Sequence, residues 1–544
     1  MKLNPLFSDH AVLQRGMFVP VWGTTKPGLR IRANIAGVTA STISNSSGYF
    51  ILRLPPMPAG GPHTLKVTAG GKGESVTVKD VMIGEVWVCS GQSNMEMRVK
   101  STYPDPDPID CNGIRMLTVK PTAEMGRATT FTGEWKHAVS KNTPDFSAAG
   151  YYFARRLHSE LGVPVGMIST SWGGTRIESW ISRESLMRMP VTKQLVRDYE
   201  ASLTNEATWR GHLMTIPLPR DPGNDGAKKK WQSPIFDDSD WATAELPGNF
   251  ERCCGRKTNG AFWFRKSVTI PKSWVGRALS LHLGGADKHD VTYCNGFKVG
   301  AMGTGVETAC WDTRREYKVP ASRVKGTELL VAVRVWSFLY DGGLIGPAND
   351  MYVTLEGGEG EERIPLTGEW RWKIERDIGL TQLPPEMSFL PGNPNCPYTL
   401  HESMIAPLVP YGIRGAIWYQ GESNADNGQD YLSLQNAMVA DWRHIWGQGD
   451  FPFICVQLAN FQQPREYDAS ATWPRVREAQ LLSTRTCPNT GMASAIDIGD
   501  DLDIHPRNKR EVGFRLAQWA LARTYGHDLV DNGPHYAGYE IEAN

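Results

Sequence analysis

The run Glu85-Val86-Trp87-Val88-Cys89 is short, apolar and β-branched, and it leads almost directly into Gly91-Gln92-Ser93-Asn94-Met95. Such a run suits a buried strand, and Ser93-Asn94-Met95-Glu96-Met97 can start a helix. A strand that ends at a polar turn points to an open α/β sheet. In such sheets ligands sit beyond the carboxyl ends of the strands, and helix N-termini favour developing negative charge. Ser93 is therefore a candidate nucleophile; the alternative is a serine that caps a helix. A free hydroxyl is a weak nucleophile and needs a base, a group to orient that base, and donors for the oxyanion. Met95 stands where the α/β-hydrolase elbow G-x-S-x-G has its last glycine, which argues against that fold.

The remaining groups are found far along the chain. Asp503-Ile504-His505-Pro506 precedes a stretch in which Val512, Leu516 and Ala520 repeat at helical spacing, so His505 lies on a loop entering a helix. His505 is the expected base for Ser93, and Asp503 is near enough in sequence to fix its tautomer. Asp497, Asp500 and Asp501 share the loop and compete for that role. The strand-like run Val165-Gly166-Met167-Ile168-Ser169-Thr170 follows a helix around Ala149, Phe153 and Leu157. It breaks at Gly173-Gly174-Thr175, where a backbone N–H can approach a reacting carbonyl. A further strand, Gly415-Ala416-Ile417-Trp418-Tyr419, ends in Gln420-Gly421-Glu422-Ser423-Asn424, two amides and a carboxylate. Both loops also read as ordinary strand-to-helix turns.

Serine, glycine pair, amide and Asp-x-His, each after a strand-like run, together resemble the SGNH (GDSL-like) hydrolases, specifically the sialate O-acetylesterase branch of carbohydrate esterases. The matching stretches are Gly91-Gln92-Ser93-Asn94-Met95, Ser171-Trp172-Gly173-Gly174-Thr175, Trp418-Tyr419-Gln420-Gly421-Glu422-Ser423-Asn424-Ala425 and Asp503-Ile504-His505-Pro506, with Leu6-Phe7-Ser8-Asp9-His10 extending the likeness to the first residues. The resemblance implies a serine esterase that removes O-acetyl groups from carbohydrate, most simply O-acetylated sialic acid, without metal or cofactor. Ser93 would be the nucleophile and His505 the base, with Asp503 assisting. Ser93 and Gly174 would donate backbone N–H groups to the oxyanion, completed by the amide of Gln420 or, second, of Asn424. Gln92, Arg176 and Glu422 are the expected substrate contacts; Arg176, Glu178 and Trp180, just past the glycine pair, either meet sugar hydroxyls or form an exposed helix face. Two departures are visible. The broad SGNH pattern has an asparagine two residues after a glycine in the third block, where Ser423 stands here. Many members also place the aspartate three residues before the histidine, where Leu502 stands, so a Ser–His dyad stays open. An esterase for acetylxylan or another plant glycan is an alternative substrate reading. A carbohydrate-binding protein with an idle serine is an alternative of another class.

At 544 residues the chain exceeds one ordinary core, so several domains are expected. The resemblance implies a flavodoxin-like three-layer α/β/α catalytic domain of the SGNH type, formed by residues 81–205 and 389–530. Residues 1–80 alternate in strands such as Ile31/Ala33/Ile35 and Phe50/Leu52/Leu54 and predict a β-sandwich. Residues 206–388 read as an inserted β-sandwich, with a hairpin signal at Asn295-Gly296. This insertion looks like the galactose-binding-like jelly rolls of glycosidases, and its Trp231, Trp241, Trp263 and Trp336 suggest either a sugar platform or core. Residues 531–544 look like the start of a truncated C-terminal β region.

Lysine plus arginine total 58 and aspartate plus glutamate 58, so no basic field draws the chain to nucleic acid. No apolar run is long enough for a membrane span. The nine cysteines lack zinc spacing and are expected mostly reduced, with Cys254–Cys310 a conceivable disulfide. The start has no apolar leader, yet relatives of this kind are exported, so the expectation is a secreted or periplasmic protein whose leader has been replaced.

Overall fold

The computed structural model describes residues 1–70, 73–107, 109–124, 126–204, 218–305, 310, 311, 313–339, 342–357, 362–381, 392–462, 471–534, 538 and 540. The protein is built on a twisted sheet whose strands come from both ends of the sequence. We number them β1 (Ser75–Gly91), β2 (Cys111–Thr118), β3 (Trp135–Ala138), β4 (Val165–Ser171), β5 (Gly415–Tyr419), β6 (Phe453–Val456) and β7 (Thr490–Ala493). Their spatial order is β3-β2-β4-β1-β5-β6-β7. All pair in parallel except β3, which runs antiparallel to β2 along the edge. The order reverses direction at β1, where β4 lies on one side and β5 on the other, and a ligand crevice forms at such a point.

From Ile83 onward both faces of β1 are buried, which accounts for its unbroken apolar run there. Val86 and Val88 join the core that holds Met438 and Trp442 of helix α3 (Tyr431–Trp446). Trp87 and Cys89 pack on the opposite face against helix α2 (Ala148–Leu161), with the Trp87 and Phe153 rings 4.9 Å apart, and against α5 (Lys509–Trp519). The helical periods read from sequence hold, since Tyr431, Leu434, Met438 and Trp442, and likewise Val512 and Leu516, face the core. Ser147 caps α2 by accepting from Gly150 N, and Gly162 ends it in the left-handed region. The helix after Ser93 is a single turn, α1 (Ser93–Glu96), and α4 (Trp473–Thr486) completes the set used here.

The N-terminal strands alternate as expected, with Ile31, Ala33, Ile35, Phe50, Leu52 and Leu54 buried. The expected boundary at residue 80 instead falls inside β1, which is 17 residues long. Its first half pairs with Gly60–Ala69 of the N-terminal region and its second half with β4 and β5. One strand thus serves two packing units.

Between β4 and β5 the chain forms two antiparallel sheets that share a core of Phe262, Phe264, Leu281, Leu283, Val331, Val333 and Val353. Asn295 and Gly296 both have positive φ and join His289–Cys294 to Phe297–Met302 in the predicted hairpin. Trp231, Trp241, Trp263 and Trp336 are all buried, so they are core and not a sugar platform. The expected ends of this insertion, near 206 and 388, lie outside the described residues, as do Tyr539 and 541–544 of the C-terminal segment. All nine cysteines are free thiols. Among the described residues no helix is long and apolar enough to cross a membrane.

Candidate active site

Ser93 emerges where β1 ends. Gly91 has φ +137°, and a Cβ there would sit 2.1 Å from the Tyr419 carbonyl oxygen, so only glycine lets β1 and β5 stay paired up to the turn. His505 arrives on the loop before α5, and its Nε2 lies 2.9 Å from Ser93 Oγ. Residues 412 positions apart in sequence meet at hydrogen-bond distance. Asp503 Oδ1 stands 3.6 Å from His505 Nδ1, too far for a formed hydrogen bond, and accepts 2.8 Å from the His505 backbone N–H instead. Asp503 therefore shapes the loop and supplies charge. Asp497 is engaged by Arg515 at 2.6 and 2.8 Å, and Asp500 accepts from the backbone of Leu502 and Asp503, so neither competes for the imidazole.

The glycine pair comes up against the nucleophile. A Cβ on Gly173 would lie 3.3 Å from Ser93 Cβ, and Gly173 N donates to Glu96 Oε2 at 2.6 Å. Gly174 has φ +73° with open space above it, and its carbonyl accepts from Asn395. No acceptor within the described residues is bonded to the Gly174 or Ser93 backbone N–H.

The two amides expected to complete the oxyanion hole are instead buried and engaged. Gln420 Nε2 donates both hydrogens, to Thr175 O (3.0 Å) and Asn424 Oδ1 (2.7 Å), while its Oε1 accepts from Tyr431 OH (2.7 Å). Asn424 Nδ2 donates to Glu178 Oε2 (2.8 Å), and its Oδ1 also accepts from Ile177 N (2.9 Å). Both side chains are fully buried. They fasten the glycine loop to the end of β5. We expect Gln420→Ala to cost roughly 1–3 kcal/mol of stability, because Tyr431 and Thr175 lose buried partners. Its activity should fall by much less than the ~10²–10³ that marks loss of an oxyanion donor. Thermal melts and acetate-release kinetics on the same preparation check both.

Of the expected substrate contacts, Gln92 accepts from Ser423 N at 3.2 Å through Oε1. Arg176 stands at the rim, bonded to Asp426 at 3.1 and 3.2 Å. Glu178 and Trp180 are buried, the latter donating to Thr175 Oγ1, so they are scaffold and not sugar contacts. Glu422 Oε1 accepts from Asn94 Nδ2 at 2.5 Å, and its Oε2 is buried without a hydrogen-bond partner among the described residues. Burial raises the Glu422 pKa, against the pull of Asn94, His505 and Lys509.

Three groups in the site carried no role in the sequence reading. Asn94 joins the serine turn to the Glu422 loop and to the loop and helix around His505: its amide donates to Glu422 and to Ile504 O (2.9 Å), and its Oδ1 accepts from Lys509 Nζ (2.7 Å). Lys509 is fully buried, and burial pushes its pKa down to about 7 against the opposing charges of Glu422 and Asp503. Trp311, from the insertion, lies over His505 with ring centroids 4.0 Å apart at 36°. Arg314 Nη2, also from the insertion, donates to Thr102 O at 2.9 Å and helps to hold it against the site. Removing the aromatic cover by Trp311→Ala is expected to raise KM about 2- to 10-fold, the equivalent of an aromatic contact of roughly 0.5–1.5 kcal/mol. Steady-state kinetics on a soluble acetylated sugar would show it.

The chain is similar to known carbohydrate esterases. The family model described as carbohydrate esterase, sialic acid-specific acetylesterase matches residues 83–213 and 398–522. The sialate O-acetylesterase of Mus musculus is 23% identical over 550 residues, covering 94% of this chain and 72% of that protein. The sialate O-acetylesterase of Pongo abelii is 32% identical over 195 residues, or 32% of this chain and 37% of that protein. The crystal structure of a carbohydrate acetylesterase from Xanthomonas citri shares the fold, with a TM-score of 0.57 and 24% identity over 97% of this chain and 76% of that one. With its parallel sheet, its serine at the exit of β1 and its motif order, this chain is similar to the sialate O-acetylesterases and to the carbohydrate esterase family model over residues 83–213 and 398–522.

Proposed function

We propose that the protein is a carbohydrate O-acetylesterase that releases acetate from O-acetylated sialic acid through an acetyl-serine intermediate. The 2.9 Å contact between Ser93 Oγ and His505 Nε2 at the carboxyl end of β1 is the observation that carries this reading. His505 takes the Ser93 proton as the oxygen attacks the acetyl carbonyl. The oxyanion is met by the N–H groups of Ser93 and Gly174, at the N-terminus of α1 and at an open glycine turn. His505 then protonates the departing sugar oxygen. Water, deprotonated by the same imidazole, cleaves the acetyl-enzyme. Asp503 Oδ1 stands 3.6 Å from His505 Nδ1, and the arrangement is nearer a Ser–His dyad than a tight triad.

The same reading assigns residues 81–205 and 389–530 to an SGNH-type, flavodoxin-like catalytic domain and 206–388 to an inserted jelly roll of the galactose-binding kind. A parallel sheet drawn from both sides of the insertion supports this division. Export from the cytoplasm follows from the family and belongs to the proposal. Gln92, Arg176 and Glu422, on the loops around Ser93, are the groups proposed to meet the sugar. The test is acetate release from a panel of O-acetylated sialic acids and acetylxylan. Faster turnover of the sialic acids supports the assignment, and faster turnover of xylan moves the enzyme to plant glycans. Absence of both acetate release and organophosphate labelling at Ser93 would leave only a binding protein.

A further inference from the structure

Far along the sheet from Ser93, three residues that are isolated in sequence converge on one point. His10 Nδ1 lies 2.7 Å from Asp80 Oδ2, His137 Nε2 lies 2.9 Å from the same oxygen, and the two ring nitrogens are 3.0 Å apart. Each residue offers one atom, and all three contacts are made among those atoms. Hydrogen bonds do not satisfy this triangle. A ring N–H points in one direction, so if both rings donate to Asp80 their hydrogens confront each other across the third side. A single cation at the apex accepts all three lone pairs. The circle through the three atoms has a radius of about 1.7 Å, less than the ~2.0–2.2 Å of zinc bonds to imidazole nitrogen and carboxylate oxygen. An ion about 1.1–1.4 Å off their plane reaches every ligand at those lengths, and a small spreading of the three opens the angles toward tetrahedral.

The backbone points the same way. His10 has φ +69° and Asp80 φ +53°, both in the left-handed region that residues with a side chain seldom adopt. His10 N donates to Lys79 O, and Lys79 N donates to Asp9 Oδ1, which lashes the first loop to β1. His137 sits on edge strand β3, opposite Arg115, beside a register shift that re-aims its side chain. Arg115 Nη2 lies 3.4 and 3.5 Å from the oxygens of Asp80 and steadies the carboxylate from a buried position. The three ligands are partly exposed, so water has access to a fourth coordination position.

We propose that His10, Asp80 and His137 form a binding site for one first-row divalent cation, best represented by zinc, that clamps the N-terminal β region to the edge of the catalytic sheet. Two imidazoles and one carboxylate with an open position are a familiar zinc donor set. The ligands come from a loop, the middle of β1 and the edge strand, so an ion there joins three segments that local sequence does not bring together.

The test uses the full chain, stripped of metal and titrated with Zn²⁺ by calorimetry. The double variant His10→Ala/His137→Ala and the catalytic variant Ser93→Ala are run beside it. One equivalent should bind to the wild type and to Ser93→Ala, with a Tm that rises as zinc is added. The double variant should lose that equivalent and that rise while still releasing acetate. If the double variant does not fold, His137→Gln serves in its place, with an expected loss of at least about tenfold in affinity. Cobalt in the wild type should give the visible absorption of a four-coordinate site. No stoichiometric binding in the wild type, or equal binding after loss of the histidines as expected for adventitious capture by the free cysteines, overturns the proposal.

Discussion

Ser93→Ala is expected to reduce kcat for acetate release by about 10⁴–10⁶, leaving only the catalysis that binding and the oxyanion donors supply without a nucleophile. Substrate affinity should hardly change. Among the described residues the Ser93 hydroxyl bonds only His505, and the turn that carries it is fixed by Asn94 and by the backbone of Gln92. The fold should survive as well, because Ser93 is only partly buried and caps nothing in the core. Rapid-quench kinetics on an O-acetylated sialic acid, with the variant's circular dichroism as control, measure this. A kcat within tenfold of wild type would remove Ser93 from the chemistry.

His505→Ala is expected to fall nearly as far, by about 10³–10⁶ in kcat, since no other base among the described residues reaches the hydroxyl. Asp503 is 3.6 Å behind the ring, and the Lys509 ammonium is turned toward Asn94 Oδ1 and Pro506 O. The double variant Ser93→Ala/His505→Ala should be no slower than the worse single variant, because the two groups act as one unit. Additive losses would mean that each works separately. Trp311 supplies a structural control, because it touches the same imidazole from the other side without accepting a proton. Its removal should move KM and leave kcat largely intact.

Much of this architecture is legible in the sequence because local patterns govern it. The apolar runs at Val86–Cys89, Val165–Thr170 and Gly415–Tyr419 became parallel strands, since both faces of each are covered and nothing in them needs to alternate. The Val512/Leu516 spacing gave α5, and Asn295-Gly296 gave its hairpin. His505 was readable because its motif sits at a strand-to-helix junction, as Ser93 does. Features set by distant packing were not. The boundary near residue 80 failed because β1 runs straight through it into a second sheet, and continuity of one strand carries no composition signal. Gln420 and Asn424 look like open donors in the sequence. Only the fold shows that Thr175, Glu178 and Tyr431 are close enough to engage them. Glu178 and Trp180 read as either sugar contacts or an exposed helix face, yet the loop folds them inward. Trp311 was missed because its position over His505 depends on how the insertion docks. A buried lysine such as Lys509 gives no advance sign either, because sequence does not reveal that Asn94 and Pro506 will surround its amine.

The most direct test is peptide-resolved mass spectrometry of the wild-type chain, quenched in acid during turnover of an O-acetylated sialic acid. The account predicts one acetyl group on the peptide that contains Ser93, absent from Ser93→Ala and accumulating when deacetylation is slowed. Acetate released at the normal rate with no acetyl on Ser93, or with the acetyl held on another residue, would contradict it.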